Sequence, residues 1–210
     1  MKLVTLLVTR SKPCSVNTLH TVLRLNLTCM QKGVDNEISY VDDDPFLKAE
    51  AIERYMKSHE RIIFVDFGIS LDEKSIAQCF EKHEGVGCLV FPGVKEGIDW
   101  GLFRHKVQTG STEPTEQMGL NFDTEIGAKI SDDIYKVKTT TSKAWCMNTK
   151  NVIKSIKDKK SGKWTVSPKM FAKFTEQGVR IYAFTAAKLV MTYTHECISN
   201  ILNAAGIKVN

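Results

Sequence analysis

Blocks of apolar and polar residues alternate along the first half of the chain. Lys2 to Thr9 is a continuous apolar run of β type, broken by the polar turn Arg10-Ser-Lys-Pro-Cys14. The next block predicts a helix capped by Ser15 or Asn17. Leu19, Val22, Leu23, Leu27 and Met30 form its apolar stripe, and Lys32-Gly33 closes it. Glu37 to Val41 predicts a short second strand, ended by Asp42-Asp43-Asp44 just before Pro45, and residues 46–58 predict a second helix. Arg61 to Val65 is then an unbroken run that stops at Asp66. Such a run predicts a strand buried on both faces, as in mainly parallel α/β sheets. A helix over Leu71 to Lys82, capped by Ser70 or Asp72, and a strand over Val86 to Phe91, stopped by Pro92-Gly93, complete the pattern. The order β-α-β-α-β-α-β predicts parallel units with right-handed crossovers.

The second half reads differently. Residues 94–131 carry scattered Gly, Thr and Pro with few apolar runs, which predicts a long loop-rich insertion. Ile134 to Thr139 and Lys143 to Met147 read as short strands, and Asn151 to Asp158 as a helix before the basic turn Lys159-Lys160-Ser161-Gly162. Residues 168–177 predict a helix, Arg180 to Phe184 a strand, and Thr194 to Ala205 a last helix closed by Gly206. There is no internal repeat and no low-complexity tract.

Composition narrows the class. A chain of 210 residues with 42% hydrophobic and 25% charged residues suits one soluble globular domain with a sizeable core. The net charge of +5 is local, with Lys150, Lys154, Lys157, Lys159, Lys160, Lys163 and Lys169 crowded together. That is too little for a duplex-DNA binder, so no nucleic-acid partner is expected, but it suits a small acidic ligand such as a nucleotide diphosphate. The six cysteines show no CxxC pair and no zinc spacing, which leaves buried reduced thiols as the expectation. No segment approaches the roughly 20 apolar residues of a membrane span. The short N-terminal apolar run lacks a cleavage site and reads as a strand rather than a signal peptide. A cytoplasmic protein without a membrane partner is expected.

Ligands in parallel α/β sheets gather at the carboxyl ends of the strands. Three such ends carry polar groups here: Thr9-Arg10-Ser11, Asp42-Asp43-Asp44 and Asp66. A hydroxyl, a cation and several carboxylates on one edge match what a nucleotide-sugar needs. Carboxylates accept hydrogen bonds from base or ribose, and cations hold the diphosphate. A divalent ion bridges phosphate oxygens and stabilises the departing nucleoside diphosphate. Trp145 and Asn148 sit at the end of another strand, where an aromatic face and an amide suit the C–H faces and hydroxyl edges of a sugar. Asp99, beside Trp100 in the insertion, is a candidate for the acceptor cleft. Lys48, Arg54 and the basic stretch 150–163 read as solvated faces. P-loop, GxGxxG and GxSxG motifs are absent, and no catalytic base stands out.

Val41-Asp-Asp-Asp44 followed by Phe64-Val-Asp66 resembles the motif order of glycosyltransferases with the GT-A fold. In that family the first motif contacts the nucleotide and the second corresponds to the Asp-X-Asp signature. With Leu6-Leu-Val-Thr-Arg-Ser11, Lys143-Ala-Trp-Cys-Met-Asn-Thr-Lys150 and Thr192-Tyr-Thr-His-Glu196 included, nearly the whole chain is similar to the small chlorella-virus glycosyltransferases that modify the major capsid protein. The resemblance implies a single GT-A-like α/β domain with a mixed sheet flanked by helices. Residues 1–93 would be its nucleotide-binding half and residues 94–210 its sugar and acceptor half. It further implies a UDP-sugar donor, UDP-glucose foremost, and retention of configuration. The implied cofactor is Mn²⁺ or Mg²⁺, the acceptor a glycan on a viral capsid protein, and the setting the host-cell cytoplasm. One departure stands out: Gly68 occupies the place of the signature's second aspartate. The family often supplies a histidine from near the C-terminus, which makes His195 the candidate to share a metal with Asp66. An imidazole beside a carboxylate suits Mn²⁺ better than Mg²⁺. Two alternatives are a sugar-nucleotide nucleotidyltransferase and a non-catalytic nucleotide- or glycan-binding domain. The first usually carries a glycine-rich loop after its first strand, which Thr9-Arg-Ser-Lys-Pro13 lacks, and Gly68 is the best support for the second.

Overall fold

The computed structural model describes residues 1–10, 15–95, 97–113, 115, 118–186 and 190–191. Its centre is the first apolar run, which forms strand β1 (Lys2–Thr9). Period-two geometry sends Val4, Leu6 and Val8 to one face and Leu3 and Leu7 to the other, and all five are buried. Two parallel neighbours flank it, β2 (Asp35–Asp42) and β3 (Arg61–Val65), in registers that bring Thr9 level with Asp42 and Leu7 level with Val65. Helix α1 (Val16–Lys32) and helix α2 (Pro45–Met56) make the crossovers between them. The chain continues through β4 (Ile69–Ser70), α3 (Glu73–Gln78), β5 (Cys88–Val90), α4 (Trp100–Gln108), β6 (Thr124–Ser131), β7 (Ile134–Thr140) and β8 (Ala144–Asn148). Helices α5 (Thr149–Ile156) and α6 (Met170–Glu176) then precede β9 (Ile181–Phe184) and β10 (Val190–Met191).

One mixed sheet unites both halves of the chain in the order β2-β1-β3-β8-β5-β9-β7-β6, while β10 and β4 form a separate antiparallel pair. Strand β8 runs antiparallel to both β3 and β5. Strands β1, β2, β3, β5 and β9 therefore point the same way, and their carboxyl ends share an edge with the start of β8. Two apolar layers cover the sheet. One, around Phe64, Trp145 and Met147, lies under α2, α5 and α6; the other, around Leu3, Ile63 and Phe91, lies under α1 and α3. The expected α/β class, a mixed sheet flanked by helices, is what the chain forms. Cys29, Cys79, Cys88 and Cys146 are buried free thiols, as expected, while Cys14 and Cys197 lie outside the described residues.

Two expectations need correction. Of the predicted α1 stripe only Val22 is buried; Leu19, Leu23, Leu27 and Met30 face outward. The inner face instead uses Thr18 and Thr21, whose hydroxyls accept the backbone N–H groups of Gly68 and Leu71 at 3.0 and 2.9 Å. The stretch 94–131 is also more ordered than a loop-rich insertion, since it contains α4 and β6. Helix α4 buries none of its residues, and β6 is an edge strand held by pairing with β7, so neither produces an apolar period. The helix predicted over Thr194 to Ala205 lies outside the described residues.

Candidate functional site at the carboxyl edge of the sheet

The carboxyl ends of β1, β2 and β3 bring together most of the residues singled out in their motifs. Thr9, at the end of β1, is buried and donates a 3.4 Å hydrogen bond from its hydroxyl to Asp42 Oδ1 on β2. The next residue, Arg10, donates from Nε to Asp43 Oδ2 at 2.7 Å, and its guanidinium lies 5.4 Å from the centre of the Phe67 ring. Asp43 Oδ1 accepts from Lys48 Nζ at 2.5 Å, and the same ammonium stands 3.7 Å from Asp66 Oδ1. Three strand ends are thus linked through one chain of charges: Arg10, Asp43, Lys48, Asp66. Partial burial pushes the Asp43 carboxyl up, but hydrogen bonds from Lys48 and Arg10 outweigh it and hold the group below the usual carboxylate range. Ser11 belongs to the first motif and lies outside the described residues.

Lys48 is a correction to the solvated face expected for it. It occupies the first turn of α2, four residues after Asp44, so the helix carries its ammonium back over the strand ends. Asp44 has a different task from its two neighbours. Its Oδ1 accepts the N–H groups of Phe46 and Leu47 at 2.8 and 2.9 Å, which caps α2 and accounts for the carboxylate before Pro45.

Asp66 is buried and accepts the Phe67 N–H at 2.8 Å. A tight turn follows, closed by the Ile69 N–H on the Asp66 carbonyl at 3.3 Å, with Gly68 at φ 79°. Position three of a type II turn demands that sign of φ. The turn that presents Asp66 therefore selects glycine where the signature has its second aspartate.

Beside these strand ends lies a cavity of about 510 Å³, within the size range of small-molecule sites. Its floor is aromatic. Trp145 stacks on Phe64 at 4.9 Å with 2° between the rings and meets Phe171 edge to face at 6.0 Å. The charged residues lining the cavity are Lys48, Lys143, Lys169 and Asp66, three cations against one anion. Trp145 is almost wholly buried, so it serves the core while lining this cavity. A carboxyl that no motif indicated, Asp123, braces the neighbouring wall. It accepts from the Gly93 N–H at 3.1 Å and the Thr124 hydroxyl at 2.7 Å, and its carbonyl accepts from Thr141 N–H, next to the cavity. Burial pushes its pKa up despite those two bonds and the nearby charge of Lys143.

No protein-family model matches the chain, and no curated protein matches it. Among solved structures it is similar to a crystal structure of GalNAc-T7 with UDP, GalNAc and Mn²⁺. The TM-score is 0.42 and the identity 9%, over 91% of this chain and 44% of that one. The chain thus spans less than half the length of that structure. A likeness this loose assigns no residue a role.

Other candidates fall elsewhere. Asn148 ends β8 opposite Arg61, at the start of β3, and so lies at the far edge of the sheet from Asp66. Its Oδ1 accepts the Asn151 N–H at 3.1 Å and caps α5. The expectation that it shares a sugar site with Trp145 is corrected by the direction of β8. Asp99 caps α4 by accepting the Leu102 N–H at 2.9 Å. His195 lies outside the described residues. Among the described residues no group of three or more His, Cys, Asp or Glu side chains is arranged to hold a metal ion. Asp43 and Asp66 converge, but they converge on the Lys48 ammonium. The Lys48 ammonium, 3.7 Å from Asp66 Oδ1, would repel a divalent ion on Asp66, whose further ligands would have to come from phosphate oxygens or from residues beyond these. None of the helices among the described residues is long and apolar enough to cross a membrane.

Proposed function

We propose that the chain is a nucleotide-sugar-dependent glycosyltransferase. Its donor is a UDP-hexose, UDP-glucose foremost, and its acceptor a glycan. The observation that supports this reading best is the cavity itself: three lysines and one carboxylate around an aromatic floor, continuous through Lys48 with the strand-end cluster of Thr9, Arg10, Asp42 and Asp43. Threonine and aspartate at the strand ends suit the hydroxyls and N–H groups of a nucleoside. Lysine ammoniums suit a diphosphate, and Trp145 with Phe171 suits the apolar face of a hexose. During transfer the bond between the sugar's anomeric carbon and the diphosphate breaks, and negative charge grows on the departing UDP. Cations already aimed at that point lower the barrier without reorganising. The capsid glycoprotein as acceptor, and retention of configuration, follow from the sequence resemblance alone.

Mn²⁺ or Mg²⁺ belongs to the proposal, held by Asp66, His195 and the phosphates. When bound, the ion adds charge neutralisation at the leaving diphosphate. The position of β10 is compatible with this. Met191 pairs with Ile69, which closes the turn begun by Asp66. His195 follows four residues later, and four residues span at most about 14 Å.

UDP release from UDP-glucose, measured with and without Mn²⁺, tests the reading. Release stimulated by the ion is expected, and it should fall in Lys48→Ala. UDP binding without any release would favour the non-catalytic domain. Formation of UTP from UDP-glucose and pyrophosphate would favour the nucleotidyltransferase.

A further inference from the structure

Arg61, at the start of β3, is a cation enclosed in protein. Only 8% of it is exposed. Its guanidinium donates from Nη1 to the Cys79 carbonyl and from Nη2 to the Glu81 carbonyl at 3.2 Å. Among the described residues no carboxylate forms an ion pair with it. A guanidinium stays charged at any ordinary pH, and a buried charge is ordinarily paired. Carbonyl dipoles answer part of that need. The charge also acts on two thiols, Cys79 and Cys146.

Cys79 is the C-cap of α3, and Cys146 lies on β8, level with Ile63 and Leu89 of the neighbouring strands. Cys146 Sγ is 3.6 Å from the Cys79 carbonyl oxygen, and the two thiols are hydrogen-bonded to each other. The hydrogen bond from Cys79, aided by the Arg61 charge, outweighs burial and lowers the Cys146 pKa below the ordinary thiol range. Burial, reinforced by Cys146, pushes Cys79 well above it. One sulfur of the pair is thus disposed to be a thiolate and the other to keep its proton. Both line a cavity of about 310 Å³ at the amino edge of the sheet, with Arg61 in its wall, whereas the buried Cys29 and Cys88 do not. Exposed Lys82 and Glu84 also line this cavity, so it opens to solvent and a small uncharged solute can reach the sulfurs.

We infer that Cys146 and Cys79 are a nucleophilic and a resolving thiol, oxidised by hydrogen peroxide to a reversible disulfide between β8 and the end of α3. The Cys146 thiolate attacks one peroxide oxygen and the O–O bond breaks. The hydroxide released takes up the proton that Cys146 shed and becomes water, leaving Cys146 as the sulfenic acid. The Cys79 sulfur then attacks the Cys146 sulfur, the S–O bond breaks, and the departing hydroxide leaves as water with the Cys79 proton. Two thiols are oxidised and one peroxide is reduced to two waters. The pair lies at the opposite edge of the sheet from Asp66 and needs no nucleotide, so its failure leaves the proposed activity untouched, and the reverse holds too.

Peptide mapping of the full, folded chain tests it. The chain is treated with equimolar hydrogen peroxide, alkylated in denaturant and digested without reduction. A Cys79–Cys146 cross-link is expected, lighter by two hydrogens and reversed by dithiothreitol, with Cys29 and Cys88 recovered as alkylated thiols. It should form about tenfold faster than in the same chain oxidised in denaturant, where Arg61 no longer stands beside the thiols. In Cys79→Ser, dimedone should trap Cys146 as the sulfenic acid; in Cys146→Ser, Cys79 should remain a thiol. Recovery of both Cys79 and Cys146 as thiols from the treated parent would overturn the proposal. So would a cross-link that forms no faster in the folded chain than in the denatured one, or oxidation of Cys29 and Cys88 at the rate of this pair.

Discussion

Lys48 Nζ stands 2.5 Å from one carboxylate and 3.7 Å from another, at the rim of a cavity that holds two further lysines. Two carboxylates hold it in place, so its position is set before any ligand arrives. Lys48→Ala is therefore expected to weaken UDP binding at least tenfold, about 1.4 kcal/mol, as read by calorimetric titration. Asp43 answers to pH. Its folded pKa lies below the unfolded value of about 3.9, so its contribution to stability is present above that value and is lost as pH falls through the folded pKa. The gap in melting temperature between the parent and Asp43→Asn should be open at pH 7 and close as the pH drops below about 4. Asp123 has the opposite sign. With its folded pKa raised, the ionised carboxylate costs stability at neutral pH, and the cost is relieved as pH falls. Asp123→Asn keeps an acceptor for the Gly93 N–H and should melt at or above the parent at pH 7. Asp123→Ala leaves that N–H unpaired and should lose about 1–3 kcal/mol in thermal unfolding.

At the scale of elements, the turn after β3 joins fold to site. Gly68 at φ 79° lets the chain reverse directly after Asp66, and a side chain there is strained by about 1–2 kcal/mol. Gly68→Asp would place a second aspartate two residues after Asp66. It is expected to lower the melting temperature without strengthening Mn²⁺ binding, because the turn that holds Asp66 is what the new residue disturbs. The ends of β1, β2 and β3 were legible in the sequence because apolar runs stop abruptly at Arg10, Asp42 and Asp66. The inner face of α1 was not, because Thr18 and Thr21 dock through hydroxyl-to-backbone bonds while Leu19, Leu23 and Leu27 look outward. Asn148 was misplaced for another reason: a residue pattern shows where a strand ends but not which way it runs. Lys48 looked like any helix-surface lysine until the crossover placed the first turn of α2 above the strand ends.

For the whole molecule, the eight-stranded sheet gathers the ends of β1, β2 and β3 and the start of β8 at one edge, and the site is a property of that edge. Among the described residues few groups at that edge could hold a metal ion, so on the proposed reading phosphate oxygens would supply the rest of its ligands. Mn²⁺ alone should leave the melting temperature unchanged, and Mn²⁺ with UDP should raise it, since only a ligand that binds the folded state stabilises it. A large shift with Mn²⁺ alone would mean a preformed metal centre. Calorimetric titration of UDP into the parent and Lys48→Ala, side by side, asks whether the lysine-lined cavity and the adjoining strand ends hold a nucleoside diphosphate. Saturable binding of one UDP per chain is expected in the parent, with at least tenfold weaker binding in the variant. No binding to the parent, or equal affinity in the two, would contradict it.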